Sequence, residues 1–213
     1  MPDLPFIDEP TLRRRLRALS PEPLEEAALA AMAVHYAELR RWNRSLALIG
    51  PGTVDEVLER HFGESLAALP LVPARPEGSG ELVDVGSGAG FPGLVLAAAR
   101  PRWRVTLVEA RQRKWSFLLS VARKAALSVR CLDARVAVPP PAEIPEEIER
   151  LTMRAVRLPG PVVAALAARL GPSGSLLLWA GAEDPAVPPG CRLGPSHPLA
   201  GSARRRIVEV RRA

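Results

Sequence analysis

The chain has 213 residues, of which 47% are apolar and 4% aromatic, and its formal net charge is +6 at pH 7. This length suits one α/β domain with a small appendage, and the apolar fraction is enough for a packed core. No apolar run approaches the ~20 residues of a membrane-spanning helix, and the acidic, proline-containing start differs from a secretory signal. We therefore expect a cytoplasmic protein without a membrane anchor, with reduced thiols at Cys131 and Cys191.

The positive charge favours a polyanionic partner. Almost all of it is arginine, since Lys114 and Lys124 are the only lysines. The arginines cluster near the start, in the middle and at the end of the chain. Each cluster could equally be a solvated surface, so charge alone gives little support for nucleic-acid binding.

The first part of the chain has the apolar period of amphipathic helices. Leu12, Leu16 and Leu19 recur on one stripe, and similar spacings follow in the next segment. The pattern predicts helices over residues 11–19, 24–42 and 55–68. A stretch rich in proline and glycine, residues 70–81, is typical of a linker. We therefore expect a helical module over residues 1–75 and a second domain over residues 76–213.

From Glu81 onward, short apolar runs alternate with helical stretches. The predicted strands are Leu82–Val85, Val105–Glu109, Ser128–Asp133, Arg150–Met153 and Ser175–Trp179. The predicted helices are Pro92–Ala99, Arg111–Ala126 and Pro161–Leu170. This alternation predicts a Rossmann-like α/β domain, with a mostly parallel sheet covered by helices on both faces. The charged and apolar residues that alternate near the C-terminus predict an additional edge strand.

A glycine-rich segment, DVGSGAGFPG, follows the first strand and opens a helix. Glycines let the backbone turn tightly and approach a ligand, and the helix N-terminus offers free N–H groups. Gly86 and Gly88 match the first two glycines of dinucleotide-binding loops, but Phe91 occupies the position of the third, and Gly90 precedes it. The loop therefore suits a nucleoside without phosphates, such as S-adenosylmethionine.

Two acids are candidates for contacts with such a nucleoside. Glu109 ends the second strand, about 20 residues after the loop, where dinucleotide enzymes place the acid that binds a ribose. Its carboxylate can accept hydrogen bonds from both ribose hydroxyls; the alternative is a charged residue that merely ends a strand. Asp84 could meet the amino-acid tail. These features predict an S-adenosylmethionine-dependent methyltransferase, and Phe91 disfavours an NAD-linked oxidoreductase.

Short motifs outside the loop match one known family. They are Tyr36, Leu39, Trp42-Asn43, Arg60-His61, Glu64-Ser65, Glu109, Arg113-Lys114, Phe117-Leu118 and Arg154-Ala155. The glycine-rich loop matches that family at every position, including the Phe-Pro-Gly extension. From about Tyr36 to the last strand, the chain resembles the RsmG (GidB) family of bacterial 16S ribosomal RNA guanine-N7 methyltransferases.

The resemblance implies a cofactor, a substrate and site residues. The cofactor is S-adenosylmethionine, the partner is 16S rRNA or the small ribosomal subunit, and no metal is involved. The residues implied to line the cofactor site are Gly86, Phe91, Val136 and Ala137 through their backbone, and Arg154. The candidates to face RNA are Arg60, His61, Arg113 and Lys114. For Arg113 and Lys114, a solvated helix start is the competing interpretation. We also expect a monomer.

The chain departs from the family pattern at three places. Ala47-Leu48-Ile49 replaces Asn-Leu-Thr, Ala137 replaces an acid, and Ala180 replaces a lysine. The departures leave the cofactor loop intact but affect the side expected to face RNA. Two alternatives therefore stay open: a non-catalytic RNA-binding descendant, or a methyltransferase acting on a small molecule or a protein.

The expected reaction asks for no catalytic residue. Guanine N7 carries an unprotonated lone pair, so no base must remove a proton, and in-line methyl transfer depends chiefly on alignment. We therefore assign none of the histidines, His35, His61 and His197, as a base. N7 lies on an edge that a regular RNA helix hides, so the target base must be unpaired or flipped out.

Overall fold

The computed structural model describes residues 3–75 and 77–213, and it begins with two amphipathic helices. Helix α1 spans Glu9–Leu19 and α2 spans Glu26–Leu46. The Asp8 carboxylate caps α1 by accepting the Thr11 N–H at 2.9 Å. Both helices lie close to their predicted positions. Helix α2 continues beyond the prediction and ends at Ala47, whose left-handed φ of 47° terminates it.

The predicted third helix, over residues 55–68, is only partly α-helical. A π-helical segment, Leu58–Gly63, runs directly into α3, the single turn Glu64–Leu66. Short 3₁₀ turns precede and follow it, at Pro51–Thr53 and Leu69–Leu71.

The remainder is a seven-stranded sheet with three more helices. The strands are β1 Gly80–Val85, β2 Trp103–Glu109, β3 Val129–Asp133, β4 Ile148–Met153, β5 Leu170–Ala180, β6 Cys191–Pro198 and β7 Arg206–Arg212. The helices are α4 Gly93–Ala99, α5 Gln112–Lys124 and α6 Gly160–Ala167. The spatial order is β3-β2-β1-β4-β5-β7-β6, with β1 to β5 parallel and β7 antiparallel to both its neighbours. The predicted Rossmann-like architecture is confirmed.

The C-terminal part of the sheet corrects two predictions. The last strand, β7, is not an edge strand, because it lies between β5 and β6 and buries Val208 and Val210. Strand β6 was not predicted, because its sequence, CRLGPSHP, contains glycine and prolines and lacks a continuous apolar period. Strand β5 begins at Leu170, which the periodicity had assigned to the preceding helix.

Apolar side chains cover both faces of the sheet. On one face, α4 and α5 share a continuous core with the N-terminal helices, including Leu29, Phe62 and Phe117. On the other face, α6 packs Leu166 against strand residues such as Leu151. Strands β2 and β3 follow β1 on one side, and β4 and β5 lie on its other side, so the order of strand addition reverses at β1. Open parallel sheets bind ligands at such a switch point, at the carboxyl ends of the strands. No helix in the described part of the chain combines the length and hydropathy needed to cross a membrane.

Candidate functional site

A cleft of about 630 Å³ opens at the carboxyl ends of the central parallel strands. Segments that follow β1, β2, β3 and β4 contribute to its lining. The apolar part of the lining consists mainly of Val85, Val108, Val136, Ala137, Val156, Leu158 and Val162. Among the described lining residues, Glu109 is the single carboxylate. The cleft therefore combines an apolar wall, which suits a nucleoside, with one acidic group and four basic residues: Arg111, Lys114, Arg135 and Arg157.

The glycine-rich loop forms the floor of the cleft at the end of β1. Gly86, Gly88 and Gly90 all have positive φ, at 73°, 53° and 84°. A Cβ atom at Gly86 would lie 2.8 Å from the Cβ of Val156, so this position needs glycine for space as well as for conformation. The Gly86 N–H donates to the Val108 carbonyl at 2.8 Å, which ties the loop to β2.

Glu109 is held at the cleft wall by backbone groups. One carboxylate oxygen accepts the Gly88 N–H at 2.9 Å, and the other accepts the Arg111 N–H at 2.8 Å. Each oxygen keeps a further lone pair, so the carboxylate can still accept two hydroxyl groups. Lys114 lies beside it; burial lowers the pKa of this lysine, while the Glu109 charge opposes the shift. The structure thus fixes the predicted ribose acceptor in one orientation.

Asp84 lies behind the loop and does not line the cleft. Its carboxylate is fully buried and accepts the Thr152 hydroxyl at 2.7 Å and the Gly93 N–H at 3.3 Å. Burial raises the pKa of Asp84 to about 6. A Cβ at Gly93 would lie 2.6 Å from the Asp84 carboxylate, so the two residues are matched in size. Asp84 therefore anchors the start of α4, instead of meeting a ligand tail as expected.

Gly90 and Phe91 also support the loop from behind. The Phe91 ring is buried, with its centroid 4.8 Å from that of His35 and 4.9 Å from that of Phe62. His35 donates from Nε2 to the Ala89 carbonyl at 2.8 Å. Burial lowers the pKa of His35 to about 4, so the ring is neutral. The described lining of the cleft includes neither Gly90 nor Phe91, whereas Val136 and Ala137 do line it.

Arg154 points away from the cleft, into a buried polar cluster. Its Nη2 donates to Glu64 Oε2 at 2.9 Å and to the Arg60 carbonyl. Glu64 also pairs with Arg60 at 3.1 Å and with Arg205 at 2.8 Å. We call these residues, together with His61, the Glu64 network. It connects the N-terminal helices to β4 and to the segment before β7.

His61 is neutral within the Glu64 network. Its Nδ1 accepts a hydrogen bond from Arg154 Nη1 at 3.2 Å, since an arginine can only donate. Its Nε2 therefore carries the proton and lies 3.0 Å from the Thr53 hydroxyl oxygen. Burial and the neighbouring Arg154 charge lower the pKa of His61 to about 3. Both ring nitrogens are occupied, so His61 has no free nitrogen with which to act as a base.

The candidate RNA-facing residues divide into two pairs. Arg60 and His61 belong to the Glu64 network. Lys114 lines the cleft, whereas Arg113 is exposed outside the described lining and donates to the Ser45 carbonyl at 3.2 Å. Of the four candidates, the structure therefore brings only Lys114 to the cleft. The sequence did not predict the ion pair between Glu64 and Arg205, because no local pattern marks a contact between such distant segments.

Comparisons with known proteins identify close relatives. Residues 28–185 match the model of the GidB family, described as rRNA small subunit methyltransferase G. A protein named ribosomal RNA small subunit methyltransferase G from Desulfotalea psychrophila is 40% identical over 68% of this chain and 65% of its own length. One of the same name from Xanthomonas campestris is 37% identical over 82% of this chain and 81% of its own length.

Solved structures share the fold at lower identity. A SAM-dependent methyltransferase from Aquifex aeolicus superposes with a TM-score of 0.55 at 15% identity, over 73% of this chain and 92% of that chain. TrmN from Thermus thermophilus superposes with a TM-score of 0.52 at 20% identity, over 70% of this chain and 48% of that chain. At these identities the likeness establishes the fold alone.

Proposed function

Because this chain belongs to the family of ribosomal RNA small subunit methyltransferase G, we propose that it transfers a methyl group from S-adenosylmethionine to guanine N7 in 16S rRNA. The observation that carries the proposal is the position of Glu109. It is the single carboxylate among the described lining residues, and backbone N–H groups hold it next to a loop whose glycines admit a ligand to the backbone. This arrangement fits a ribose whose hydroxyls carry no phosphate.

The donor set of the cleft fits the rest of the cofactor. Val136 and Ala137 offer an apolar surface and backbone groups for the adenine ring. Gly86 and Gly88 leave the backbone open toward the methionine part. When bound, S-adenosylmethionine supplies a methyl group activated by its sulfonium. Arg154, which the family resemblance places at the cofactor, would act here by holding the Glu64 network against β4.

Methyl transfer to N7 needs alignment and no general base. The lone pair of guanine N7 is free at neutral pH, so the protein must hold the base and the methyl donor in line. His35 and His61 are neutral and hydrogen-bonded, and Asp84 is buried away from the cleft. Among the described lining residues the one carboxylate, Glu109, is assigned to the ribose, and the proposed chemistry asks for no base beyond it.

The substrate guanine must reach the cleft outside a regular helix. The N7 edge faces the deep, narrow groove of double-stranded RNA, which side chains cannot enter. The base is therefore taken from a loop or flipped out of its stack. Lys114, in the cleft lining, and Arg113, exposed one residue before it on α5, are our candidates to contact the flanking strand.

We further propose that the protein works as a cytoplasmic monomer, with residues 1–75 as a helical module on a methyltransferase domain over residues 76–213. Among the residues that the structure describes, few large apolar side chains are exposed, which supports the monomer. They are Phe6, Leu119, Val138, Val187 and Leu193.

The test is methyl transfer to small ribosomal subunits that lack the modification. The purified protein is incubated with tritiated S-adenosylmethionine and the subunits, and the RNA is digested to nucleosides. We expect label in 7-methylguanosine. Label in protein or in small molecules would support the alternative methyltransferase, and cofactor uptake without transfer would support a non-catalytic RNA-binding protein.

A further inference from the structure

Three exposed arginines surround the mouth of the cofactor cleft. Arg111 follows β2, Arg135 follows β3 and Arg157 follows β4, and all three belong to the cleft lining. In the order β3-β2-β1-β4, the first two lie on one side of the glycine-rich loop and the third lies on the other. We call these residues the rim arginines. Together they place positive charge on both sides of the opening.

The rim arginines have no carboxylate partner within the described part of the chain. Many other arginines do, even exposed ones: Arg44 pairs with Asp3 at 3.0 Å, and Arg41 pairs with Glu38 at 3.7 Å. Glu109 is the nearest acid in the cleft lining, but both its oxygens are directed to backbone N–H groups. The rim charge is therefore available to an external anion.

The cofactor does not account for this charge. S-adenosylmethionine carries a sulfonium and an ammonium against a single carboxylate, so its net charge is positive, and the rim as a whole repels it. Lys114, in the same lining, adds to the repulsion. A positive rim around the site of a positive cofactor indicates that a second, anionic ligand closes over the cleft.

We propose that the rim arginines bind the phosphate groups that flank the target guanine in the RNA strand. This inference rests on the proposed function and assigns its RNA contacts to particular residues. A base that is withdrawn from its stack needs its backbone held on both sides, and phosphate contacts are what fix such a register. A guanidinium suits this role because it binds phosphate through two parallel hydrogen bonds.

The rim can be tested by the salt dependence of RNA binding. The triple variant Arg111→Gln, Arg135→Gln, Arg157→Gln is titrated with unmethylated 16S rRNA and with polyuridylate over a range of KCl concentrations. The slope of log K against log [KCl] is negative, and removing three phosphate contacts should make it shallower by about 2 to 3. Calorimetry should give an unchanged Kd for S-adenosylmethionine.

A matched control removes the same charge elsewhere. Arg102, Arg123 and Arg192 are exposed, lack a carboxylate partner and lie outside the cleft lining. Their triple substitution by glutamine should leave the slope unchanged. Thermal unfolding of both variants checks that the fold is retained.

The outcomes separate the rim from the proposed function. An unchanged slope in the rim variant, or an equal change in the control, overturns the rim proposal. A loss of cofactor affinity with unchanged RNA binding also overturns it and assigns these arginines to the cofactor carboxylate. If the wild type methylates no ribosomal RNA while the rim variant still shows a smaller salt dependence on polyuridylate, the rim arginines bind RNA phosphates, and it is the proposed function that fails.

Discussion

The cofactor cleft and the Glu64 network use charge in opposite ways. In the cleft, Glu109 is held by backbone groups on neighbouring loops and faces an open space. In the Glu64 network, one buried carboxylate is shared by Arg60, Arg154 and Arg205, which come from distant parts of the chain. The first arrangement keeps an acid available for a ligand. The second consumes its acid in joining the N-terminal helices to the sheet.

This difference predicts which region governs folding and which governs ligand binding. A buried arginine that loses its carboxylate remains charged and unsolvated, so the network is sensitive to any loss of Glu64. Glu109 is as little exposed as Glu64, but backbone N–H groups hold it, so its loss leaves no buried arginine unpaired and should be felt chiefly by the ligand. Substitutions in the two regions can therefore separate stability from cofactor affinity.

The largest effect is expected from Glu64→Gln. It leaves Arg154 buried without a carboxylate, and breaking such a pair costs about 3–5 kcal/mol of unfolding free energy. Urea denaturation followed by circular dichroism measures the loss. Glu59→Gln is the matched control, because its pair with Arg15 is exposed and should be worth less than about 1 kcal/mol. Equal losses in the two variants would contradict a structural role for the network.

Glu109→Gln should act on the cofactor instead. The amide cannot accept both ribose hydroxyls, and hydrogen bonds to a charged acceptor are worth about 1.5–3 kcal/mol, or roughly 10- to 150-fold in Kd. Calorimetric titration with S-adenosylmethionine measures the change. Asp133→Asn, at the exposed end of β3, is the control and should bind normally. Unchanged affinity in the Glu109 variant would remove the ribose assignment.

The sequence predicted the cleft better than the network, and the reason is physical. The loop and Glu109 are marked by local patterns, because a strand, a glycine turn and an acid follow one another along the chain. Glu64 and Arg154 meet across 90 residues, and nothing in either segment identifies its partner. Motif matching placed Phe91 and Arg154 at the cofactor, yet the packing turns both side chains away from the cleft.

The same limit applies to the fold. The parallel strands were predicted because continuous apolar runs mark strands buried on both faces. Strand β6 has no such run and depends on pairing with β7. Because β6 pairs with β7, β7 lies inside the sheet. Neither strand's sequence shows which strand it pairs with. Local patterns therefore specify elements, whereas long-range pairing specifies their order.

Acid pH should weaken the helical side of the molecule through His35. Its pKa is about 4 in the folded protein, against 6.5 when unfolded, so the unfolded state binds more protons between these values. The contribution of neutral His35 to the free energy of unfolding is fully present above pH 6.5 and is lost as the pH falls toward 4. Between pH 7 and pH 5 the loss is about 2 kcal/mol.

His35→Gln isolates this contribution. The unfolding free energy of the wild type minus that of the variant should decrease by about 2 kcal/mol from pH 7 to pH 5, measured by urea denaturation at each pH. Other groups, including Asp84, whose raised pKa acts in the opposite direction, cancel in this difference. A difference independent of pH would show that His35 is not held neutral by burial.

The smallest effect is expected from Gly86→Ala. The φ of 73° costs an alanine about 1–2 kcal/mol, and the new methyl group must displace Val156, which lines the cleft. Stability and cofactor affinity should both fall, unlike in the variants of Glu64 and Glu109. Gly52→Ala, where an added Cβ meets no atom within 4 Å, should match the wild type in both measurements.

A crystal structure of the complex with S-adenosylhomocysteine tests the central claim most directly. We expect the ribose hydroxyls to donate to the two oxygens of Glu109 and the adenine to lie against Val136 and Ala137. Ligand density elsewhere on the molecule, or a ribose without contact to Glu109, would contradict it.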